Sequence, residues 1–384
     1  MLRALDGLAL LAAALALVST LTLELRFHLM RHEVLEADAA ALEKLGRHLI
    51  VGYSDLDELH ALIRRRAIAG VFLSAANVHG LSAADVRRQI DAMQAIRRDQ
   101  HLPPLWIAAD QEGGDVARLS PPLPQPPRMA DILARHPDRA DGIAAVRQSA
   151  REQGRTLAHL GVNLNFAPVV DLDRGLVNPN DRFTRIYRRA ISDSPELVTA
   201  AAGAYCDGLR EAGVRCTLKH FPGLGRVFAD THLGGADLDV APGELARSDW
   251  VPFRALMARA DAFTMLGHVT LTALDRERPV SFSGPTVAGL LRGDWHYRGI
   301  LITDDFSMGA VYRSRDGLAD AAVAAINTGV DLVLVSFDTD QFYAVMHRLL
   351  AADREGRLQP EALRQSDERL DRATEALAQP SASR

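Results

Sequence analysis

The residues best suited to chemistry lie in one stretch, Thr217 to Leu233, which reads T-L-K-H-F-P-G-L-G-R-V-F-A-D-T-H-L. Its proline and glycines exclude regular structure, so a shaped loop is predicted after a short buried strand. Asp230 and His232 stand two residues apart, which in an extended segment places both side chains on one face. A carboxylate raises the proton affinity of a neighbouring imidazole, so His232 is a candidate proton donor. The alternative is a polar loop with an ordinary surface histidine.

The elements that must position this loop follow a repeating pattern. After Leu45, short apolar runs alternate with longer segments of helical period, which indicates buried parallel strands. The commonest closed arrangement is a (β/α)8 TIM-type barrel, here with allowance for irregularity. A doubly wound open sheet is the alternative, but no glycine-rich phosphate motif follows the first run. The predicted strands are His48–Tyr53, Gly70–Ser74, Trp106–Asp110, Asn163–Val170, Val214–His220, Ala262–His268, Ile300–Asp305 and Asp331–Ser336.

Charged or polar side chains stand at the ends of five successive predicted strands. They are Asp110 with Arg118 shortly after it, Asp171, Lys219 with His220, His268, and Asp304 with Asp305. Because catalytic groups of such barrels lie where strands end, these residues predict a polar pocket at one end of the barrel. A carboxylate such as Asp304 is a candidate nucleophile when a proton donor lies across the pocket. A cap for the following turn is its alternative.

Composition narrows the function classes. The chain has 384 residues, a net charge of -5 and no run rich in lysine or arginine, so nucleic-acid binding has no electrostatic support. Cys206 and Cys216 are predicted to be separate small buried groups, with a single disulfide as the alternative, and they leave the compartment open. No zinc-binding spacing, cysteine cluster or serine-nucleophile motif occurs, so neither a metal nor a cofactor is expected.

The N-terminal segment is strongly apolar. Residues 7–23 contain no charge and fall slightly short of the ~20 residues that a bilayer requires. We predict that residues 1–45 form a membrane anchor or signal with a linker helix, and favour the anchor over a cleaved signal or a core helix. Residues 46–378 are predicted as the barrel and residues 379–384 as a disordered tail. A membrane-anchored, periplasmic or secreted location follows, with the cytoplasm as the alternative.

Five strings in order resemble glycoside hydrolase family 3, specifically its single-domain β-N-acetylhexosaminidases of the NagZ type. The resemblance extends from about Leu49 to Leu350. The strings are D-Q-E-G-G-x-V-x-R at 110–118, N-F-A-P-V-x-D at 165–171, K-H-F-P-G-x-G-x-x-x-x-D-T-H at 219–232, M-L-G-H-V at 265–269 and T-D-D-x-S-M at 303–308.

The resemblance implies a retaining exo-glycosidase that hydrolyses terminal β-linked N-acetylglucosamine from a muropeptide or related glycan. Asp304 would form a covalent glycosyl intermediate, and His232, oriented by Asp230, would act as acid and then base. Arg189 is chosen from the arginine-rich segment 181–192 because I-Y-R-R-A-I-S lines up with the family's I-G-x-R-x-F-G. A monomer with a carbohydrate as its ligand is expected. The implied sugar-binding residues are Asp110, Arg118, Arg189, Lys219 and His220.

Four positions depart from the family's pattern, namely Asp115, Tyr187, Ile191 and Leu224. They bear on substrate range and loop position but leave every implied catalytic group in place. Two other functions stay open: a phosphorylase on the same fold, and a catalytically inactive, membrane-tethered glycan-binding barrel.

Overall fold

Eight parallel strands close into a barrel in the order of the chain. The computed structural model describes residues 2–259, 262–337 and 339–378. The predicted (β/α)8 barrel is confirmed, since each predicted run contributes one strand. The strands are β1 (Leu49–Val51), β2 (Gly70–Phe72), β3 (Trp106–Ala109), β4 (Leu164–Asn165), β5 (Arg215–Phe221), β6 (Phe263–Leu266), β7 (Leu301–Asp305) and β8 (Leu332–Val335).

Helices follow the strands and form the outer layer, preceded by two helices at the N-terminus. The longer ones are α1 (Leu2–Leu35), α2 (Ala39–Gly46), α3 (Leu56–Arg64), α4 (Ala83–Asp99), α5 (Arg139–Leu160), α6 (Pro195–Glu211), α7 (Trp250–Met257), α8 (Gly317–Thr328), α9 (Thr339–Arg354) and α10 (Pro360–Ala378). Short helices span Ala75–Val78, Met129–Ala134, Ile186–Arg189, Pro242–Leu245 and Gly309–Tyr312, with a 3-10 turn at Val280–Phe282 and a π-helix at Pro285–Asp294.

The ends of these helices are encoded locally. Asp55 and Ser194 precede α3 and α6, and their side chains accept backbone N–H groups of the first turn at 2.8 and 3.2 Å. Such caps satisfy donors that the helix itself leaves unpaired, and each contributes about 1 kcal/mol. Gly161 ends α5 in the left-handed conformation at φ 99°, which a glycine adopts without strain.

Side chains fill the interior of the barrel. Trp106 packs edge-on against Phe263 at 5.0 Å between ring centroids, and Phe72 stacks on Phe166 at 5.8 Å. All four rings are buried, and burial of each such side chain contributes about 1.5–3 kcal/mol. The barrel is therefore a packed core rather than a pore, and a ligand site must lie at one end.

Regular strand pairing breaks on two strands, β5 and β7. The register shifts between Leu218 and Phe221 on β5 and between Ile302 and Asp305 on β7. Irregular pairing re-aims side chains near the end of a strand. The two strands with these shifts carry Lys219 with His220 and the Asp304–Asp305 pair.

The prediction that the cysteines are separate is wrong. Cys206 on α6 and Cys216 on β5 form a disulfide, with 5.4 Å between their Cα atoms. After α6 the chain turns back and runs along its own helix, which brings positions ten apart in sequence into bonding range. Between the short helix Pro242–Leu245 and α7, residues 246–249 form a turn that places Asp249 in the interior.

The predicted N-terminal apolar helix is present as α1. By length and composition its segment Ala13–Leu35 suffices to cross a membrane, and none of its most apolar window is buried. Its last turns pack on the barrel through Phe27, Met30 and Val34. The division of the chain at residues 45 and 46 stays a prediction, and the predicted tail 379–384 lies outside the described residues.

Candidate active site

The end of the barrel at which the carboxyl ends of the strands meet, here called the mouth, holds Asp304 at the end of β7. One Asp304 oxygen accepts the N–H of Asp305 at 2.9 Å. Burial alone would raise the pKa of Asp304, but its interactions with the imidazoles of His220, His268 and His232 lower that pKa to about 2. The carboxylate is therefore ionised across the neutral range and lies close enough to all three rings to interact with their charges.

The neighbouring Asp305 holds the backbone instead. It accepts the N–H of Ser307 at 3.0 Å and both the N–H and the hydroxyl of Ser336 at 2.9 and 2.5 Å. Burial raises its pKa. The alternative that a carboxylate here caps the following turn thus applies to Asp305, while Asp304 is left for the mouth.

The Asp230–His232 pair forms through a turn, not through the extended segment that the spacing suggested. Leu233 donates its N–H to the carbonyl of Asp230 at 3.0 Å, which closes the turn. The Asp230 carboxylate then accepts both the backbone N–H of His232 and its ring Nδ1 at 3.0 Å. Burial raises the pKa of Asp230, but these contacts and the Thr184 hydroxyl outweigh it and hold that pKa below its usual value.

The loop that carries this pair rests on the segment after Asp304. Gly309 and Ala310 donate their N–H groups to the carbonyls of His232 and Thr231 at 2.9 and 3.1 Å. A Cβ at Gly309 would stand 2.6 Å from the backbone of Leu233, so only glycine permits this approach. Two segments distant in sequence therefore hold His232 and Asp304 at the same mouth.

A buried network of charges forms the floor of the mouth. The Lys219 ammonium lies 2.6 Å from both Asp110 and Glu112. Arg189 donates two N–H groups to the Glu112 carboxylate, at 3.0 and 2.6 Å, and a third to the carbonyl of Thr184 at 2.8 Å. Such forked pairing fixes the guanidinium plane. Of the arginines in segment 181–192, Arg189 is thus the one that the structure brings into the mouth.

Glu112 belongs to this network, although it was not among the site residues predicted from the sequence. Burial raises its pKa, but Arg189 and Lys219 outweigh burial and lower the pKa to about 2. Conversely, burial lowers the pKa of Lys219, and Asp110 and Glu112 raise it above its usual value. Glu112 and Lys219 therefore both remain charged at neutral pH. The signal in the sequence was the position of Glu112 two residues after Asp110, in the same D-Q-E-G-G string.

The side chain of His220 is held in place by Asp171. The ring Nδ1 lies 2.7 Å from the Asp171 carboxylate, which also accepts the N–H groups of His220 and Leu224. Arg189 lies 3.3 Å from the other ring nitrogen. Asp171 had been placed at the mouth from sequence, but its role in holding His220 depends on a turn that the sequence does not specify.

The comparisons with known proteins agree with this geometry. The glycosyl hydrolase family 3 N-terminal domain matches residues 41–373. β-Hexosaminidase LpqI of Mycobacterium tuberculosis is 33% identical over 328 residues, which cover 84% of this chain and 80% of that protein. A β-hexosaminidase of Xylella fastidiosa is 38% identical over 273 residues, covering 70% of this chain and 76% of that protein.

This chain belongs to glycoside hydrolase family 3. Among solved structures, a family 3 β-N-acetylglucosaminidase of a Paenibacillus strain superimposes with a TM-score of 0.80 at 31% identity, over 89% of this chain and 64% of that one. M. tuberculosis LpqI superimposes with a TM-score of 0.75 at 32% identity, over 86% of this chain and 93% of that one. The predictions of the family and of a glycoside hydrolase are confirmed.

Two further residues of the predicted pocket differ in their burial. His268 is buried, with its ring nitrogens 2.8 Å from the Ser281 hydroxyl and 2.9 Å from the carbonyl of Asp305, and burial lowers its pKa. Arg118 is exposed on the hairpin after β3, and the structure does not bring its guanidinium into an ion pair within the described residues. Among those residues no group of three potential metal ligands occurs.

Proposed function

We propose that the chain is a retaining exo-β-N-acetylglucosaminidase with Asp304 as nucleophile and His232 as acid and base. The observation that carries this proposal is the pairing of the segment after Asp304 with the loop of His232, in which Gly309 donates its N–H to the His232 carbonyl at 2.9 Å. An ionised carboxylate and a proton donor at one mouth are the two groups that retaining hydrolysis requires. The named β-hexosaminidases among its relatives support N-acetylglucosamine as the sugar.

In the first step, an oxygen of Asp304 bonds to the anomeric carbon while the bond to the leaving oxygen breaks. His232, protonated at Nε2, gives that proton to the departing oxygen. In the second step the neutral imidazole takes a proton from water, whose oxygen attacks the same carbon and releases Asp304. Asp230 holds Nδ1 throughout, so the catalytic nitrogen is fixed as Nε2.

The floor network would bind the sugar hydroxyl groups. The partly exposed Asp110 carboxylate lies beside the Lys219 ammonium. Asp110 would accept a hydrogen bond from a sugar hydroxyl group, and Lys219 would donate one. Arg189 and His220 extend this surface, and the exposed Arg118 would contact the sugar from the hairpin. Because Glu112 and Asp171 already fix Arg189 and His220, these donors meet the ligand without reorganising.

We also propose that the domain works outside the reducing cytoplasm. The buried Cys206–Cys216 disulfide is typical of oxidising compartments, and α1 has the length and apolar surface of a membrane anchor or signal. The muropeptide or a related cell-wall glycan is then the substrate proposed for the enzyme.

Parallel assays test this function. The purified chain is given chromogenic β-N-acetylglucosaminide and β-glucoside, each with and without inorganic phosphate. We expect turnover of the N-acetylglucosaminide, little of the glucoside and no acceleration by phosphate. Formation of glycosyl phosphate would instead establish the phosphorylase alternative, and an absence of turnover with any substrate would favour the glycan-binding barrel.

A further inference from the structure

Contacts between α1 and α9 define the direction in which α1 runs relative to the mouth. Phe27 packs against Tyr343 at 6.1 Å between rings, and Glu33 pairs with His347 one turn further along α9 at 2.9 Å. Helix α1 therefore runs in the same direction as α9. Because α9 starts at the carboxyl end of β8 and descends from there, the part of α1 before Phe27 projects beyond the mouth.

An ion pair fixes this direction at the level of the mouth. Arg31 bonds to Glu58 at 2.9 Å, and Glu58 also accepts the hydroxyls of Thr339 and Tyr343 at 2.7 Å. Glu58 and Thr339 stand in the first turns of α3 and α9, which begin just after β1 and β8. The apolar helix thus leaves the domain from the rim of the mouth.

Little chain separates the domain from an anchor in α1. The uncharged residues 7–23 form about 25 Å of continuous helix, and one more turn on either side completes a hydrocarbon core of about 30 Å. The last residue of the uncharged segment, Leu23, stands four positions before Phe27, or about 6 Å along the axis. A bilayer spanned by α1 would therefore lie directly above the mouth, without a flexible linker.

The rim of the mouth is apolar as well. Outside α1, the exposed large hydrophobic side chains of the described residues all lie on loops that follow β4, β5, β7 and β8, on the same face that α1 leaves. Scattered exposed apolar side chains are ordinary, but their confinement to one end of a barrel indicates an interaction surface. This apolar rim consists of Leu176, Val177, Phe183, Phe228, Leu233, Tyr312 and Phe337.

Hydrogen bonds tie the rim loops to one another and to the segment after β7. Asn178 donates to the carbonyl of Phe228 at 2.7 Å, and Arg313 donates to the carbonyl of Leu233 at 3.2 Å. Phe337 is exposed two residues before α9 and donates its N–H to the Ser307 hydroxyl at 3.3 Å. The rim is therefore an ordered surface and not a set of independent loop tips.

We propose that the apolar rim docks on the lipid bilayer that α1 spans, so that the mouth faces the membrane surface. Amphipathic surfaces enter the bilayer interface by burying apolar side chains at the headgroup boundary. The exposed arginines Arg313 and Arg315 flank this rim beside Tyr312, and suit anionic headgroups. A bilayer fits better than a second copy of the chain, because α1 brings the bilayer to this face in every molecule.

The opposite end of the barrel is the alternative docking face. It carries a cleft of about 700 Å³ lined by Arg254, Arg298 and Arg372 among others, which also suits an anionic surface. Docking there would require α1 to turn back along the whole barrel. Within the described residues α1 is a single unbroken helix, so this face points away from the membrane.

The consequence for catalysis rests on the proposed function. A glycosidase whose mouth faces the bilayer acts on N-acetylglucosaminides held at the membrane surface, such as a sugar linked to a lipid. Sugars deep in a distant polymer would have to reach the gap between rim and headgroups. Docking itself does not depend on the proposed function, so the two can be tested separately.

Site-specific labelling tests the docking. The full-length chain is reconstituted in vesicles of phosphatidylglycerol and phosphatidylethanolamine, with an environment-sensitive dye at Tyr312→Cys or Phe337→Cys. The matched control carries it at Arg298→Cys, and the native cysteines do not react because they are buried and bonded to each other. We expect blue-shifted emission, quenched by nitroxide lipids, at both rim positions and not at the control. Quenching at the control alone, or at no position, would overturn the proposal.

Activity separates a docking role from a sugar-binding role. In the variant Tyr312→Ser/Phe337→Ser, we expect unchanged turnover of a soluble chromogenic N-acetylglucosaminide. Turnover of a lipid-linked N-acetylglucosaminide in vesicles should fall about tenfold, because weaker partitioning lowers the fraction docked. The variant Tyr312→Leu/Phe337→Leu should retain both activities. Equal losses on both substrates in the serine variant would identify the rim as a sugar platform and overturn the docking.

Discussion

Two aspartate–histidine pairs occupy the same mouth, and they differ in what holds them. His220 on β5 and Asp171 on the loop after β4 meet at 2.7 Å, and both side chains are buried. His232 and Asp230 meet at 3.0 Å on a loop, where the His232 side chain is 38% exposed and the Asp230 side chain only 3%. The carboxylate is fixed in both pairs, while only the second imidazole reaches solvent.

This difference in exposure suits the two histidines to different roles, His220 to positioning a ligand and His232 to proton transfer. The His220 ring contacts Asp171 through one nitrogen and Arg189 through the other, so it is suited to hold a ligand group in place. The Nε2 atom of His232 has no hydrogen-bond partner within the part of the chain that the structure describes. A proton there can pass between substrate and water, as an acid that later acts as a base must allow.

The largest effect is expected from Asp304→Asn. This variant keeps both aspartate–histidine pairs but removes the proposed nucleophile. We expect kcat/KM to fall by at least about 10⁴-fold, as when the nucleophile of a covalent mechanism is removed. The variant Asp237→Asn, at an exposed position on the short strand Ala236–Leu238, serves as the control and should retain the normal rate. Full turnover by Asp304→Asn would contradict the assignment of Asp304 as the nucleophile.

His232→Ala and His220→Ala sharpen the comparison directly. For substrates with a poor leaving group, His232→Ala should lower kcat/KM by about 10²–10⁴-fold, because general acid catalysis is lost. With a 4-nitrophenyl leaving group, which departs without a proton, the loss should be much smaller. His220→Ala should lower kcat/KM by the same factor for both leaving groups, because His220 contributes to substrate binding. An equal dependence on the leaving group in the two variants would contradict the assignment of roles.

Two adjacent arginines allow a buried ion pair to be compared with an exposed one. Arg189→Ala leaves Glu112 in the interior with one partner fewer, and should lower the free energy of unfolding by about 3–5 kcal/mol. Arg188→Ala breaks an exposed pair with Asp115 and should cost about 0–1 kcal/mol. Chemical denaturation measures both. Similar losses in the two variants would show that burial does not set the strength of the network.

The smallest effect concerns pH. The pKa of Glu112 falls from its usual value of 4.5 to about 2 on folding, so its stabilising contribution is complete above pH 4.5 and is lost as pH falls toward 2. The stability difference between the wild type and Glu112→Gln should therefore shrink by about 2 kcal/mol over this interval. Unfolding curves at several pH values measure it. A difference that stays constant would mean that Glu112 is not held ionised by its partners.

Sequence alone predicted most of the framework. Apolar runs of strand length are a local signal, so all eight strands were predicted, and motif strings located Asp304 and His232. The Cys206–Cys216 bond was missed because it depends on how tightly the chain returns along α6. Thr184 was missed because its hydroxyl joins Asp230 and its carbonyl joins Arg189 across separate loops, a contact that no local pattern encodes.

The central claim is that Asp304 bonds to the sugar while His232 handles the protons. A 5-fluoro β-N-acetylglucosaminyl fluoride, which forms a glycosyl-enzyme faster than it is released, tests it by mass spectrometry of the intact and digested chain. The account predicts one added glycosyl unit on the peptide that contains Asp304, persisting longer in His232→Ala, where no base activates water. A label on a different side chain would contradict it.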